Sequence, residues 1–289
     1  MIARSLIAAI LINSFVLDEA LHSRTLIGNG KEVTSGYDWV VQLSTHQSGD
    51  GTVCTGSLID RQWILTAAHC IIKLSNSADP PILQDELKRY ARLKYYGPRK
   101  CGLFNDPILT TIRDNNFHPH PEARLAEQQG NEKALLLNDI ALLKMDEPVN
   151  INPVAMFNGD RTLPNDGNVL GWGMAYKEKG GSADAFQNKL YMAPFNAYWD
   201  DEQCPAIAVQ NNYFCVIDSR PNVAALKKSN ICSGDSGGPF FAGGKRPVQY
   251  GVTSQAREDT PKFNNPNKPT LFTRVDRYQN WIQETIANN

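Results

Sequence analysis

The chain has 289 residues, with 29 Lys and Arg against 30 Asp and Glu, for a formal net charge of −1. Hydrophobic residues make up 42% and charged residues 20%, a globular composition that excludes a disordered chain, a collagen and a coiled coil. No basic excess points to nucleic acid, and six cysteines are enough for two or three bridges in an oxidising compartment.

In chain order, Met1–Arg4 carries one positive charge, and Ser5–Leu17 is a mostly apolar run ended by Asp18 and Glu19. Thirteen residues are too few to cross a ~30 Å bilayer core. They fit the apolar region of a secretory signal peptide cleaved between Ala20 and Ser23. The alternative is a buried N-terminal helix. No later segment is long and apolar enough to span a membrane. After residue 26, short β-branched and aromatic runs alternate with Gly, Pro, Asn and Asp. They are Trp39–Leu43, Val53–Ile59, Trp63–Ala67, Tyr90–Tyr96, Ile140–Met145, Val169–Trp172, Val248–Ser254 and Leu271–Val275. So many short strands predict all-β barrels or sandwiches. One helix is expected near the C-terminus, capped by Asp276, with Tyr278, Trp281, Ile282 and Ile286 at helical spacing. Asn76–Lys88 and His118–Asn131 are polar and read as surface loops. His118 and His120 are two apart, but with no third ligand the pair reads as part of a solvated loop rather than a metal site.

Three patterns carry chemistry. Thr66-Ala67-Ala68-His69-Cys70 follows an apolar strand, Asn138-Asp139 heads another, and Gly234-Asp235-Ser236-Gly237-Gly238-Pro239 surrounds a serine with glycines. A histidine beside a cysteine is more often structural, and an Asp before an apolar strand says little. The third pattern is stronger, because flanking glycines let a backbone approach a ligand closely. The order His, Asp, Ser is that of one of the known triad arrangements.

With these motifs the chain resembles the chymotrypsin–trypsin family of serine proteases. The resemblance runs from about residue 27 to 287 and includes Trp63–Cys70, Gly171-Trp172-Gly173, Gly234–Pro239, Thr273-Arg274-Val275 and Trp281–Asn288. It implies two antiparallel six-stranded β-barrels with a C-terminal α-helix, and an active site between the barrels. The implied division is a signal peptide at 1–22, a short propeptide at 23–26 and a protease domain at 27–289. Within that domain the first barrel spans about 27–150, the second about 151–275 and the helix about 276–287. His69, Asp139 and Ser236 are the implied triad, the N–H groups of Gly234 and Ser236 the oxyanion hole, and Ser254 the serine beside the triad aspartate. The family pattern pairs Cys54 with Cys70 and Cys204 with Cys215. The usual partner of Cys232 is missing from Gln255–Pro269, which favours two bridges over a third between Cys101 and Cys232. An intermolecular contact of Cys101 is the other alternative.

The resemblance also implies activation by a new N-terminus at Ile27 that pairs with Asp235. Leu26 precedes Ile27 where the family carries Arg or Lys, and a shifted alignment starts the mature chain at Leu26. At the specificity pocket, Asn230 stands where trypsin-like members carry Asp, and Ala256 and Thr270 stand where they carry Gly. Gln255 replaces a tryptophan. An uncharged base and narrower walls imply an elastase-like pocket for small or medium uncharged side chains. The implied function is a secreted, extracellular serine endopeptidase acting on proteins or peptides. It is expected to be a monomer that needs an activating protease, no metal and no cofactor, and no nucleic acid or membrane partner in the mature form. The alternative is a non-catalytic homologue that acts as a binding protein.

Overall fold

Val40, Val41 and Leu43 are β-formers between turn-rich segments, and the computed structural model places them in a strand of wholly buried residues. The structure describes residues 30–48, 53–77, 79–93, 108–126, 134–160, 162–173, 189–200, 204–218, 229, 231–256 and 269–289. The strands of the first half are β1 (Lys31–Val33), β2 (Val40–Ser44), β3 (Val53–Leu58), β4 (Trp63–Thr66), β5 (Tyr90–Leu93), β6 (Ile108–Thr111), β7 (Phe117–Pro119), β8 (Arg124–Leu125), β9 (Leu136–Leu137) and β10 (Ala141–Lys144). Those of the second half are β11 (Ala155–Met156), β12 (Asp166–Gly171), β13 (Leu190–Tyr198), β14 (Tyr213–Ile217), β15 (Pro239–Ala242), β16 (Val248–Ala256) and β17 (Thr270–Arg274). Two α-helices, α1 (Ala206–Gln210) and α2 (Gln279–Asn288), and 3-10 turns at Ala68–Cys70, Asp114–Asn116 and Val275–Tyr278 complete the described elements.

The second half closes. Strands β13, β12, β15, β16, β17 and β14 pair antiparallel in that order, and β14 pairs back onto β13. Nine-residue β13 is long enough to serve β12 along most of its length while its C-terminal end takes β14. Its N-terminal end also takes β1, so the first described strand of the chain joins the second sheet. Short β11 adds to β16 in parallel.

The first half is an antiparallel sheet of order β6-β5-β2-β3-β4-β10-β7. Among the described residues it is a half-barrel rather than a ring of six strands. Its edge β6 meets the segment after β10 through a backbone bond, Asp146 N–H to Thr111 O at 2.9 Å, instead of a ladder. The architecture is the mostly-β one expected from the sequence, with one closed barrel and one open sheet.

The apolar cores do not respect the division into halves. The first contains Leu43, Leu58, Ile64 and Leu142, but also Trp172, Phe241, Val252 and Ile282 from the second half. The second barrel is filled by Phe195, Phe214, Phe240 and Phe272. Helix α2 buries Ile282 and rests Trp281 and Ile286 against the first core.

Some local expectations are corrected. Asp276 does not cap a helix. A 3-10 turn over Val275–Tyr278 precedes α2, and no side chain caps either element. The Asp276 carboxylate is instead taken by the Arg274 guanidinium, at 2.7 and 3.1 Å, a two-point geometry that outcompetes a single backbone N–H. The expected loop 118–131 contains structure: His118 lies in β7, and β8 pairs with β9 as a separate two-stranded sheet. The two histidines serve different packing sites. His118 lies 5.4 Å from the Trp63 ring, and His120 packs against Tyr278 and Trp281 at 5.3 and 5.1 Å. In the other expected loop, Lys88 is buried and donates from Nζ to Cys70 O at 2.7 Å. Burial pushes its pKa down to about 8.

Candidate active site

Buried β4 delivers the chain to a 3-10 turn over Ala68–Cys70, which presents His69. Cys70 is tied to Cys54 of β3 by a disulfide, so the turn is anchored to the sheet on both sides. Gln84 donates from Nε2 to His69 O at 3.0 Å and steadies the turn from the loop that follows. The second bridge, Cys204–Cys215, joins the start of α1 to β14. Cys101 lies outside the described residues. Cys54, His69 and Cys70 also lie within 4.8 Å of one another, but both sulfurs are committed to the disulfide and offer no thiolate to a metal.

Asp139 lies two residues before β10. The preceding Asn138 has φ +49°, a conformation asparagine tolerates better than most residues, and it accepts a hydrogen bond from the Tyr278 hydroxyl at 2.9 Å. The Asp139 side chain is 2% exposed. Its Oδ1 accepts the His69 backbone N–H at 2.8 Å, and Oδ2 lies 2.8 Å from His69 Nδ1 and accepts the Ser254 hydroxyl at 2.5 Å. Burial pushes the Asp139 pKa up. The charge of His69 and the hydrogen bonds from His69 and Ser254 more than offset it, and the net shift is downward. The carboxylate is therefore ionised at neutral pH. An ionised carboxylate only accepts, so Nδ1 of His69 carries the hydrogen, and in the neutral ring Nε2 keeps its lone pair.

Ser236 shares an open cavity of about 250 Å³ with His69. Ile231, Ser254, Gln255 and Thr270 line its wall, and Leu74, Leu125 and Leu136 form an apolar side. A larger groove of about 780 Å³ runs past Asp38, Trp39 and Lys245 and contains none of the residues singled out from the sequence. The smaller cavity is the chemically equipped one, because it holds an imidazole with an ionised partner beside a half-buried hydroxyl.

The loop bearing Ser236 is held from beneath. Asp235 is wholly buried, and its carboxylate accepts N–H groups from Gly173 and Cys232, each at 2.8 Å. Burial pushes its pKa up to about 7, with the two N–H groups pulling the other way. Gly237 has φ +79°, and a Cβ there would fall on the Thr66 hydroxyl and the Thr55 carbonyl, so only glycine fits.

The structure thus brings together His69, Asp139, Ser236, Gly234, Asp235, Ser254 and Thr270. Ile27 and Asn230 lie outside the described residues, and Ala256 ends β16 with its side chain outside them. Three contributors have no local signal in the sequence. Thr55 donates from its hydroxyl to Gly234 O at 2.8 Å across 179 residues. Gln84 supports the histidine turn. Gln255 bridges to the segment before Asp139, accepting Leu136 N–H at 2.7 Å and donating to Ala134 O at 3.2 Å.

The sequence profile of the trypsin family matches residues 27–97 and 109–282. The chain belongs to the trypsin family. Curated members similar to it include Kallikrein 1-related peptidase b11 of Mus musculus, 27% identical over 256 residues that cover 82% of this chain and 81% of the relative. Serine protease sp-Eoc49 of Echis ocellatus is 27% identical over 260 residues, covering 86% and 83%. Thrombin-like enzyme cerastocytin of Cerastes cerastes is 26% identical over 248 residues, covering 81% and 77%. This trypsin-family chain is a serine endopeptidase, a hydrolase of protein or peptide substrates.

The hydroxyl on Asp139 generates a testable expectation. Ser254→Ala removes a charge-assisted hydrogen bond worth about 1.5–3 kcal/mol. Asp139 has its pKa lowered on folding, so it contributes stability that is present above its unfolded pKa and lost as pH falls through the folded value. The deficit of the variant, read from urea midpoints, is therefore expected to be full at pH 7 and to shrink below about pH 4. A deficit that does not change with acid contradicts the assignment.

Proposed function

We propose that this protein is a secreted endopeptidase that cleaves through an acyl-enzyme on Ser236, with His69 as the base and Asp139 as its orienting partner. The observation that carries the reading is the ionised Asp139 carboxylate clasping both the backbone and the ring of His69, at the edge of the cavity that Ser236 shares. A serine hydroxyl is a weak nucleophile at neutral pH and needs a base. His69 Nε2 takes its proton as Oγ attacks the scissile carbonyl and later returns it to the leaving amine. Asp139 stabilises the imidazolium formed between those steps. The N–H groups of Gly234 and Ser236 receive the developing oxyanion, and one such donor is worth about 3–4 kcal/mol. Ser236→Ala is expected to lower peptide hydrolysis by several orders of magnitude and to abolish labelling by a fluorophosphonate, with an unchanged circular dichroism spectrum. Near-wild-type turnover in the purified variant overturns the mechanism.

Asp235 supports activation by a new amine. With two N–H groups as its partners among the described residues, its folded pKa of about 7 lies above the unfolded value. A form without a cation there loses stability as pH rises from about 4 to 7, because the buried carboxyl must give up its proton. An ammonium group from Ile27 reverses that cost by pairing with the ionised form. The signal-like Ser5–Leu17 run and the two disulfides support secretion. Active protein recovered outside the cell is expected to begin at Ile27 by N-terminal sequencing. Full activity in a form that retains residues upstream of Arg24 contradicts this activation.

Thr270 and Ile231 support a preference for small or medium uncharged side chains before the cut. Both line the cavity, and no carboxylate is among its described lining residues. A buried guanidinium or ammonium finds no charge there to offset its desolvation. Across matched peptides that differ only at that residue, Ala, Val, Ser and Leu are expected to give the highest kcat/KM. Highest values with Arg or Lys overturn the assignment.

A further inference from the structure

We propose that the Thr55 hydroxyl is a positioning group for the oxyanion site, holding the Gly234 peptide so that its N–H stays aimed at the developing charge. The inference rests on the reading of Ser236 as nucleophile.

Thr55 lies in β3 and is wholly buried. Each of its polar groups has a partner. Its N–H donates to Ser236 O at 2.8 Å, and its carbonyl accepts the Thr66 hydroxyl at 2.8 Å. Its own hydroxyl donates to Gly234 O at 2.8 Å and accepts Trp172 N–H at 3.0 Å. Three of these four bonds cross from the first half of the chain to the second.

Gly234 is where such a clamp has most to do. It has φ +97° and no side chain, so the peptides on either side can rotate at little steric cost. The rest of the loop is held by other bonds. Asp235 N–H donates to Cys232 O at 3.1 Å, Gly237 N–H to Thr253 O at 2.8 Å and Gly238 N–H to Asp235 O at 2.9 Å. The first of these holds the Gly234–Asp235 peptide by its N–H edge, and Thr55 holds the same peptide by its carbonyl edge. Cys232 is fixed on both its faces, because its N–H is bound by the Asp235 carboxylate and its carbonyl by the Asp235 N–H. Once Thr55 anchors the Gly234 carbonyl, the Ser233–Gly234 peptide is strung between two fixed points. That peptide carries the Gly234 N–H. A donor set in place before the reaction stabilises charge without reorganising. The bond of Thr55 is uncharged, so it acts at every pH and independently of any cation at Asp235.

The test compares wild-type protein with Thr55→Val, which keeps the shape and removes the hydroxyl, and Thr55→Ser, which keeps the hydroxyl. Turnover of a peptide amide is measured per active site counted with a fluorophosphonate, so unfolded molecules do not enter. Thr55→Val is expected to lower kcat about tenfold to a hundredfold with KM within about threefold, the mark of an interaction made in the transition state. Its affinity for a peptide boronic acid, which fills the oxyanion site as a tetrahedral adduct, is expected to fall in parallel. Thr55→Ser is expected to remain within about threefold of wild type. If Thr55→Val does not fold, Thr55→Ala is measured in the same way. A hydroxyl-free variant with wild-type kcat per site overturns the role of Thr55 and leaves the protease reading intact. Equal losses in the Ser and Val variants also overturn it. Wild-type protein that neither hydrolyses peptides nor takes the label overturns the protease reading, and this proposal with it.

Discussion

Keeping Asp139 charged while burying it is the constraint around which the structure is organised. A carboxylate removed from water is costly unless every oxygen is served. Here the donors come from the turn after β4 and from β16, and the backbone at Asp139 is held by Thr273 of β17, whose hydroxyl donates to Asp139 O at 2.9 Å. Strands from both halves must therefore meet at one residue. That meeting places the imidazole at the mouth of the cavity and sets its tautomer. The same bonds that make burial tolerable make His69 a base.

Asp235 is also wholly buried, and its environment drives it the other way. Asp139 has a histidine and a hydroxyl, and its pKa falls. Asp235 has two backbone N–H groups, and its pKa rises to about 7. The difference is His69, which lies against Asp139 and has no counterpart at Asp235 among the described residues. One group is fixed in its ionised form, and the other is poised for a partner to decide its state. Asp139 holds His69 and Ser254, and Asp235 holds the loop of Ser236 through the Cys232 N–H.

Between them runs a seam of neutral contacts. Ser57 of β3 donates to Gln249 of β16 at 2.6 Å, Thr55 reaches Gly234 and Trp172, and Gln255 reaches Leu136 and Ala134. Trp172, Phe241 and Val252 pack into the core of the first sheet from across the boundary. Neutral hydrogen bonds in a dry interface lose little by being buried once both partners are satisfied. The halves are joined chiefly by shape and pairing.

Local chemistry alone determined much of this protein. Apolar runs such as Trp63–Thr66 and Ala141–Lys144 are strands because β-branched and bulky side chains fit a buried pleat, and the glycines around Ser236 mark a backbone pressed against its neighbours. Other elements gave weak local signals. Pro194 interrupts the pattern of β13, although the strand tolerates it at an exposed position facing Asn168. β15 begins inside the glycine-rich motif, and the five apolar residues of β14 fit a buried helix segment as well as a strand. Asp276 had the chemistry of a helix cap, and a guanidinium two residues away took it. The bonds of Thr55 to Gly234, of Gln255 to Leu136 and of Asp139 to His69 span 70 to 179 residues, so no window of sequence contains both ends of them. Periodicity and motif are properties of neighbouring residues, and the sequence carried them. Which hydroxyl meets which carbonyl across the seam is a property of chain closure, and only the tertiary structure decided it.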